Sequence, residues 1–180
     1  MKKDLNRPKL YLEQPTINEL YYRQKWMMDA ETMSYNAGYD INLKGYNKKT
    51  GTITKTKEEM ISWYIKWIKE PKDKYFAYIY ENNGKEPIGE IYYYLEKDIY
   101  NMGIVIQSKY RGKGYFKEIM NLLFNKAKEK KIKELYDEFE ITRTTTYQAF
   151  LSIGFKIVDR FYCTKFNKQI EFVKVKKTLD

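Results

Sequence analysis

The chain has 180 residues, with 34 Lys and Arg against 24 Asp and Glu, one cysteine and no histidine. A single cysteine, Cys163, excludes an internal disulfide and any Cys-x-x-Cys motif; the lack of histidine removes Ser-His-Asp and Cys-His sites and most transition-metal centres, so an acid or base must be Glu, Asp, Lys, Tyr or Cys. The formal charge of +10 attracts anions without choosing among nucleic acid, an acidic surface and a phosphorylated cofactor.

The length suits one domain over residues 1–180, with a core of about 9–176. No stretch approaches the roughly 18 apolar residues of a membrane span, and the polar start from Met1 to Asn6 leads into no signal-peptide core, so the expected location is the cytoplasm. Lys9 to Glu13 reads as a first strand. Thr16-Ile17-Asn18-Glu19 has capping-box spacing and opens a helix to about Met28. Ala37 to Thr54, rich in Gly, Asn and Thr, reads as a long loop. A second capping box, Thr56 to Glu59, starts a helix whose apolar face carries Met60, Trp63, Tyr64, Trp67 and Ile68 before Pro71.

From Tyr75 the texture turns β-branched and aromatic, predicting an antiparallel meander of Tyr75–Glu81, Ile88–Leu95 and Ile99–Ile106. A helix follows from about Lys113 to Lys130, then a strand Ile132–Ile141, a short helix Thr144–Ile153 closed by Gly154, and a hairpin of Phe155–Tyr162 with Ile170–Val175 around Asn167. The right-handed crossover rule sets Ile99–Ile106 parallel to Ile132–Ile141, while the other neighbours are antiparallel. The fold class is therefore α/β (α+β): a mixed, mostly antiparallel sheet with helices on both faces.

The chemically informative stretch is Ile104-Val105-Ile106 followed by Lys109-Tyr110-Arg111-Gly112-Lys113-Gly114-Tyr115-Phe116, an apolar strand, a basic glycine turn and a helix start. Gly112 and Gly114 let backbone approach a ligand closely, and the helix N-terminus adds unpaired N–H donors, an arrangement suited to a pyrophosphate. The Walker A spacing is absent, and residue 117 is lysine where a dinucleotide fingerprint needs its third glycine. This stretch resembles the phosphate-binding motif Gln/Arg-x-x-Gly-x-Gly/Ala of the GNAT acetyltransferases, with Lys109 in the first position. Tyr147 to Phe155 resembles the Gly-Phe ending of that family's last conserved helix.

The resemblance, over about Lys9 to Val175, implies a splayed parallel strand pair that admits acetyl-CoA as co-substrate, with no metal. Ile104, Val105 and Ile106 would meet its acetyl and pantetheine arm, and the residues from Lys109 to Phe116 its pyrophosphate. Arg143 stands where the family often has a cofactor-contacting Asn, and Phe150 where many members have a Tyr that protonates the leaving thiolate. Deprotonating a lysine-like amine at pH 7 costs roughly 4–5 kcal/mol, whereas a thiolate needs only about 2 kcal/mol of help to leave, so the base matters more. Glu138 matches the catalytic Glu of members that acetylate protein N-termini; Glu90 and Asp98 are further base candidates, and Tyr147 is the candidate replacement phenol. The implied partners are acetyl-CoA and a primary amine, with a homodimer open and neither membrane nor nucleic acid expected. Two other readings stand beside this one: a non-enzymatic RNA- or anion-binding domain, and a GNAT domain that binds CoA without turnover.

Overall fold

The computed structural model describes residues 9–179, so the polar start at Met1 to Asn6 lies outside the described residues. Among the described residues, seven strands form a single sheet in the order β1-β2-β3-β4-β5-β7-β6. They are β1 (Leu10–Glu13), β2 (Lys74–Glu81), β3 (Gly89–Glu96), β4 (Ile99–Ile106), β5 (Glu134–Glu140), β6 (Lys156–Lys165) and β7 (Lys168–Thr178). The β4–β5 pair is parallel, as the crossover rule requires, and all other neighbours are antiparallel.

Strand alternation divides β2 between two cores. Ile79 joins Leu123 and Met120 of α4 (Phe116–Glu129) under one face, where Leu135, Phe139 and Val173 also pack. Phe76, Tyr78 and Tyr80 point to the other face, against Trp26 of α1 (Leu20–Met28) and Trp63 of α3 (Lys57–Tyr64). Leu123 is fully buried. We expect Leu123→Ala to lose about 2–5 kcal/mol of unfolding free energy, the cost of an unfilled core cavity, measurable by urea titration.

Several boundaries differ from the sequence reading, each for a local reason. Between α1 and the 37–54 segment, where the sequence reading assigned no element, Asp29 accepts the Thr32 N–H and caps a short α2 (Ala30–Met33), and a 3-10 turn spans Ser34–Asn36. The 37–54 segment lacks regular structure, as its composition suggests, but is tied down by bridges Tyr39–Lys165 and Tyr46–Ile53. α4 begins at Phe116 rather than Lys113, because Gly112 and Gly114 adopt φ of 74° and 73°, outside helical space. β5 begins at Glu134 rather than Ile132, since the Ile132 N–H is still bonded to the Ala127 carbonyl at the helix end. β6 and β7 run longer than expected, as their tight turn at Phe166 and Asn167, both at positive φ, lets the ladder continue to Lys165–Lys168.

Candidate active site

β4 keeps a full ladder with β3, and β5 keeps one with β7, yet the parallel β4–β5 ladder holds a single pair, Asn101 with Tyr136. Beyond it the strands part. The backbone groups of β4 that face this gap therefore have no ladder partner on that side. A cavity of about 620 Å³ fills the splay, walled by residues 102–106 of β4, residues 137–140 of β5, Ala149 and Phe150 of α5 (Thr144–Ser152), and Tyr35 and Tyr39 from the other side. Phe150 is 1% exposed and packs between Phe116 of α4 and Phe139 of β5, with ring centroids 5.0 and 4.9 Å away. It is a hydrophobic floor with no proton to give.

The chain matches the family model for an acetyltransferase (GNAT) domain over residues 9–156. The chain belongs to the GNAT acetyltransferase family. No curated protein sequence matches it, but solved structures do. A spermidine N-acetyltransferase from Vibrio cholerae, in complex with CoA and spermine, superposes with TM-score 0.76 at 12% identity, covering 95% of this chain and 96% of that one. A phosphinothricin acetyltransferase from Sinorhizobium meliloti, in complex with acetyl-CoA, gives 0.73 at 11% identity over 95% and 89%. A ribosomal-protein-alanine N-acetyltransferase from Brucella melitensis gives 0.67 at 16% identity over 94% and 99%. At such identities the likeness is one of fold.

In this GNAT chain the expected cofactor residues divide by where their side chains go. Ile104, Val105, Ile106, Phe116, Arg143 and Phe150 line the cavity. Arg111 also reaches it, but its guanidinium donates to the carbonyls of Ile106 (3.0 Å) and Thr32 (2.6 Å), bracing the glycine turn against α2, and burial holds its pKa below the usual value. Lys109 and Lys113 flank the Tyr110 ring, their ammonium groups 5.0 and 4.7 Å from its centroid, on the turn outside the cavity. Tyr115 is buried and bonds Glu81, so at that position only backbone could face a ligand. Gly112 is exposed, and a Cβ added there would meet no atom within 4 Å, so this position of the turn stands clear of the protein's own packing.

The candidate catalytic groups are rearranged more. Glu138 borders the cavity, but its side chain is 43% exposed and its carboxylate pairs with Lys174 of β7 at 3.1 Å. Tyr147 does not line the cavity; it packs against the core. Asp98 sits in the β3–β4 turn at φ 65°, at the opposite end of β4 from the cavity, and Glu90 pairs with Arg23 of α1 at 3.2 Å. The sequence reading passed over Asp137. It lines the cavity, its carboxylate accepts the Glu138 N–H at 2.8 Å, and burial raises its pKa to about 7, against the pull of that N–H and of Arg143.

Three tyrosines that sequence reading also missed complete the far wall. The Tyr92 ring lies across Gly103, where a Cβ would come within 2.4 Å of its hydroxyl, and burial raises the phenol's pKa well above its usual value. Tyr35 lies under the Arg143 guanidinium at 5.2 Å, and burial pushes its phenol to about 12. Tyr39 donates to Glu140 at 2.6 Å. Glu140 is buried, which works against its charge, but Lys165 and Tyr39 hold its pKa below the usual range. That cluster pins the 37–54 segment and the β6–β7 tip to the end of β5. Nineteen tyrosines in the chain gave no sequence signal for these three.

Proposed function

We propose that this chain transfers an acetyl group from acetyl-CoA to a primary amine, with Asp137 as the base. The observation that carries the reading is the splay itself, an apolar cleft whose β4 wall has backbone groups without ladder partners, ending at a glycine turn with open space above it. Acetyl-CoA supplies the acetyl group, whose transfer forms an N–C bond and breaks the C–S bond of the thioester. Residues 104–106 would hold the pantetheine arm through backbone hydrogen bonds. Gly112 and Gly114, with Lys109 and Lys113 beside them, would hold the pyrophosphate. Phe116 and Phe150 keep the floor of the cleft dry.

The acceptor enters from the side of Tyr35, Tyr39 and Tyr92, and the ammonium gives its proton to Asp137. A carboxylate with a pKa near 7 is matched to proton abstraction at neutral pH, whereas a fully solvated one would be a far weaker base. Glu138, engaged with Lys174, serves better as a neighbour that keeps Asp137 basic than as the base. The similar structures named above are acetyltransferases for spermidine, phosphinothricin and ribosomal-protein alanine, very different molecules, which leaves the acceptor to be found by assay.

Acetyl-CoA at about 100 times its Kd should stabilise the fold by roughly 2.7 kcal/mol and raise Tm accordingly. CoA release in the presence of simple amines completes the test. No Tm shift at millimolar acetyl-CoA would overturn the reading, and steep salt-dependent RNA binding in its place would favour an anion-binding domain.

A further inference from the structure

A second cavity, of about 280 Å³, lies behind the first. The two share Tyr35, Asn36, Tyr92 and Val105 as walls, so this inner chamber adjoins the acceptor side of the cleft across those four residues. Trp26, Met27, Met33 and Ile53 make the rest of it apolar. Its charged groups are Arg23 and Glu90, beside the polar side chain of Asn36. Glu90 is 4% exposed, and neither its Oε2 nor the Arg23 Nε makes a hydrogen bond, although the two stand 3.2 Å apart as an ion pair. The Arg23 guanidinium is held in place by the Trp63 ring, 4.4 Å from its centroid, and by a contact with the Met27 sulfur at 2.7 Å.

A buried donor and a buried acceptor left unsatisfied side by side are costly unless a ligand meets both. The charge of each is already answered by the other. A second ammonium in the chamber would meet Arg23, and a carboxylate would meet Glu90. An uncharged group that offers a carbonyl and an N–H together meets neither objection: its oxygen accepts from the Arg23 guanidinium and its N–H donates to the Glu90 carboxylate.

We propose that the inner chamber is a subsite for a carboxamide carried by the acceptor amine. This rests on the amine-acetylation reading above, and it specifies the acceptor as an amino amide, as distinct from a diamine or an amino acid.

The test compares four amines: 4-aminobutanamide, 1,4-diaminobutane and 4-aminobutanoate, which share a chain length, and ethylamine, which is too short to reach the chamber. The amide should show kcat/KM at least about tenfold above the other two four-carbon amines. Ile53→Trp, which fills the chamber from the 37–54 segment, should erase that advantage and leave ethylamine turnover unchanged. A second measurement needs no turnover. Butanamide, which lacks the amine, should shift the indole N–H resonance of Trp26, leave that of Trp67 in place, and lose its effect in Ile53→Trp. Ethylamine turnover with no preference for the amide, or a preference that survives in a folded Ile53→Trp protein, would overturn the chamber's role and leave amine acetylation standing. Failure to acetylate any of the four would count against the amine reading, and the chamber would then fall if butanamide left Trp26 unmoved.

Discussion

Asp137→Asn should lower kcat by about 10²–10⁴-fold, the range for loss of a positioned base, and leave acetyl-CoA affinity nearly unchanged. Burial is the main influence on its titration, opposed by the Glu138 N–H and Arg143 and reinforced by the Glu138 carboxylate. In the wild-type protein kcat/KM should rise with pH up to about 7, as the carboxylate ionises, and Asp137→Asn should remove that limb. Stability gives an independent reading. The folded pKa lies above the unfolded value of about 3.9, so between the two the folded state binds the extra proton and stability falls as pH rises, levelling off above about 7. The Asn variant should lose that component of the slope, visible in Tm against pH. Glu138→Gln should change kcat by only a few-fold. If instead Glu138→Gln abolishes the pH limb and Asp137→Asn retains it, the base is Glu138, as its position in the sequence first suggests.

Gly112→Val and Gly114→Val should each weaken acetyl-CoA binding by more than about 30-fold while the protein stays folded. Both glycines sit at positive φ, 74° and 73°, where a β-branched side chain is strained by roughly 1–2 kcal/mol or more. At Gly112 the new side chain would meet no protein atom within 4 Å of its Cβ, so packing is not the issue. It would instead stand in the space above the turn and redirect the backbone that a phosphate needs to approach. Isothermal titration with CoA and circular dichroism separate the two effects. Wild-type affinity in both variants would reduce the turn to a connector between β4 and α4.

The sheet, the four longer helices and the family were legible in the sequence, because each rests on local signals. Alternation set the faces of β2 and β3, Glu19 and Glu59 bonded back to Thr16 and Thr56 as their spacing implied, and the glycine turn lies between an apolar strand and a strongly amphipathic helix. The crossover rule, a matter of chain handedness, gave the parallel pair from element order alone. Tertiary structure decided what the cleft's side chains do. Asp137 and Glu138 are adjacent acids on one strand, and nothing local distinguishes them; only the parting of β4 from β5 sets one, half-buried, against the cavity, while β7 offers Lys174 to the other. Arg111 looks like a phosphate ligand until α2, a four-residue helix with little sequence signature, brings its carbonyls against the guanidinium. Glu90 and Arg23 lie 67 positions apart, and their burial as a poorly aligned pair depends on how α1 crosses β3. Contacts of this kind follow from packing between distant elements, which sequence periodicity does not encode.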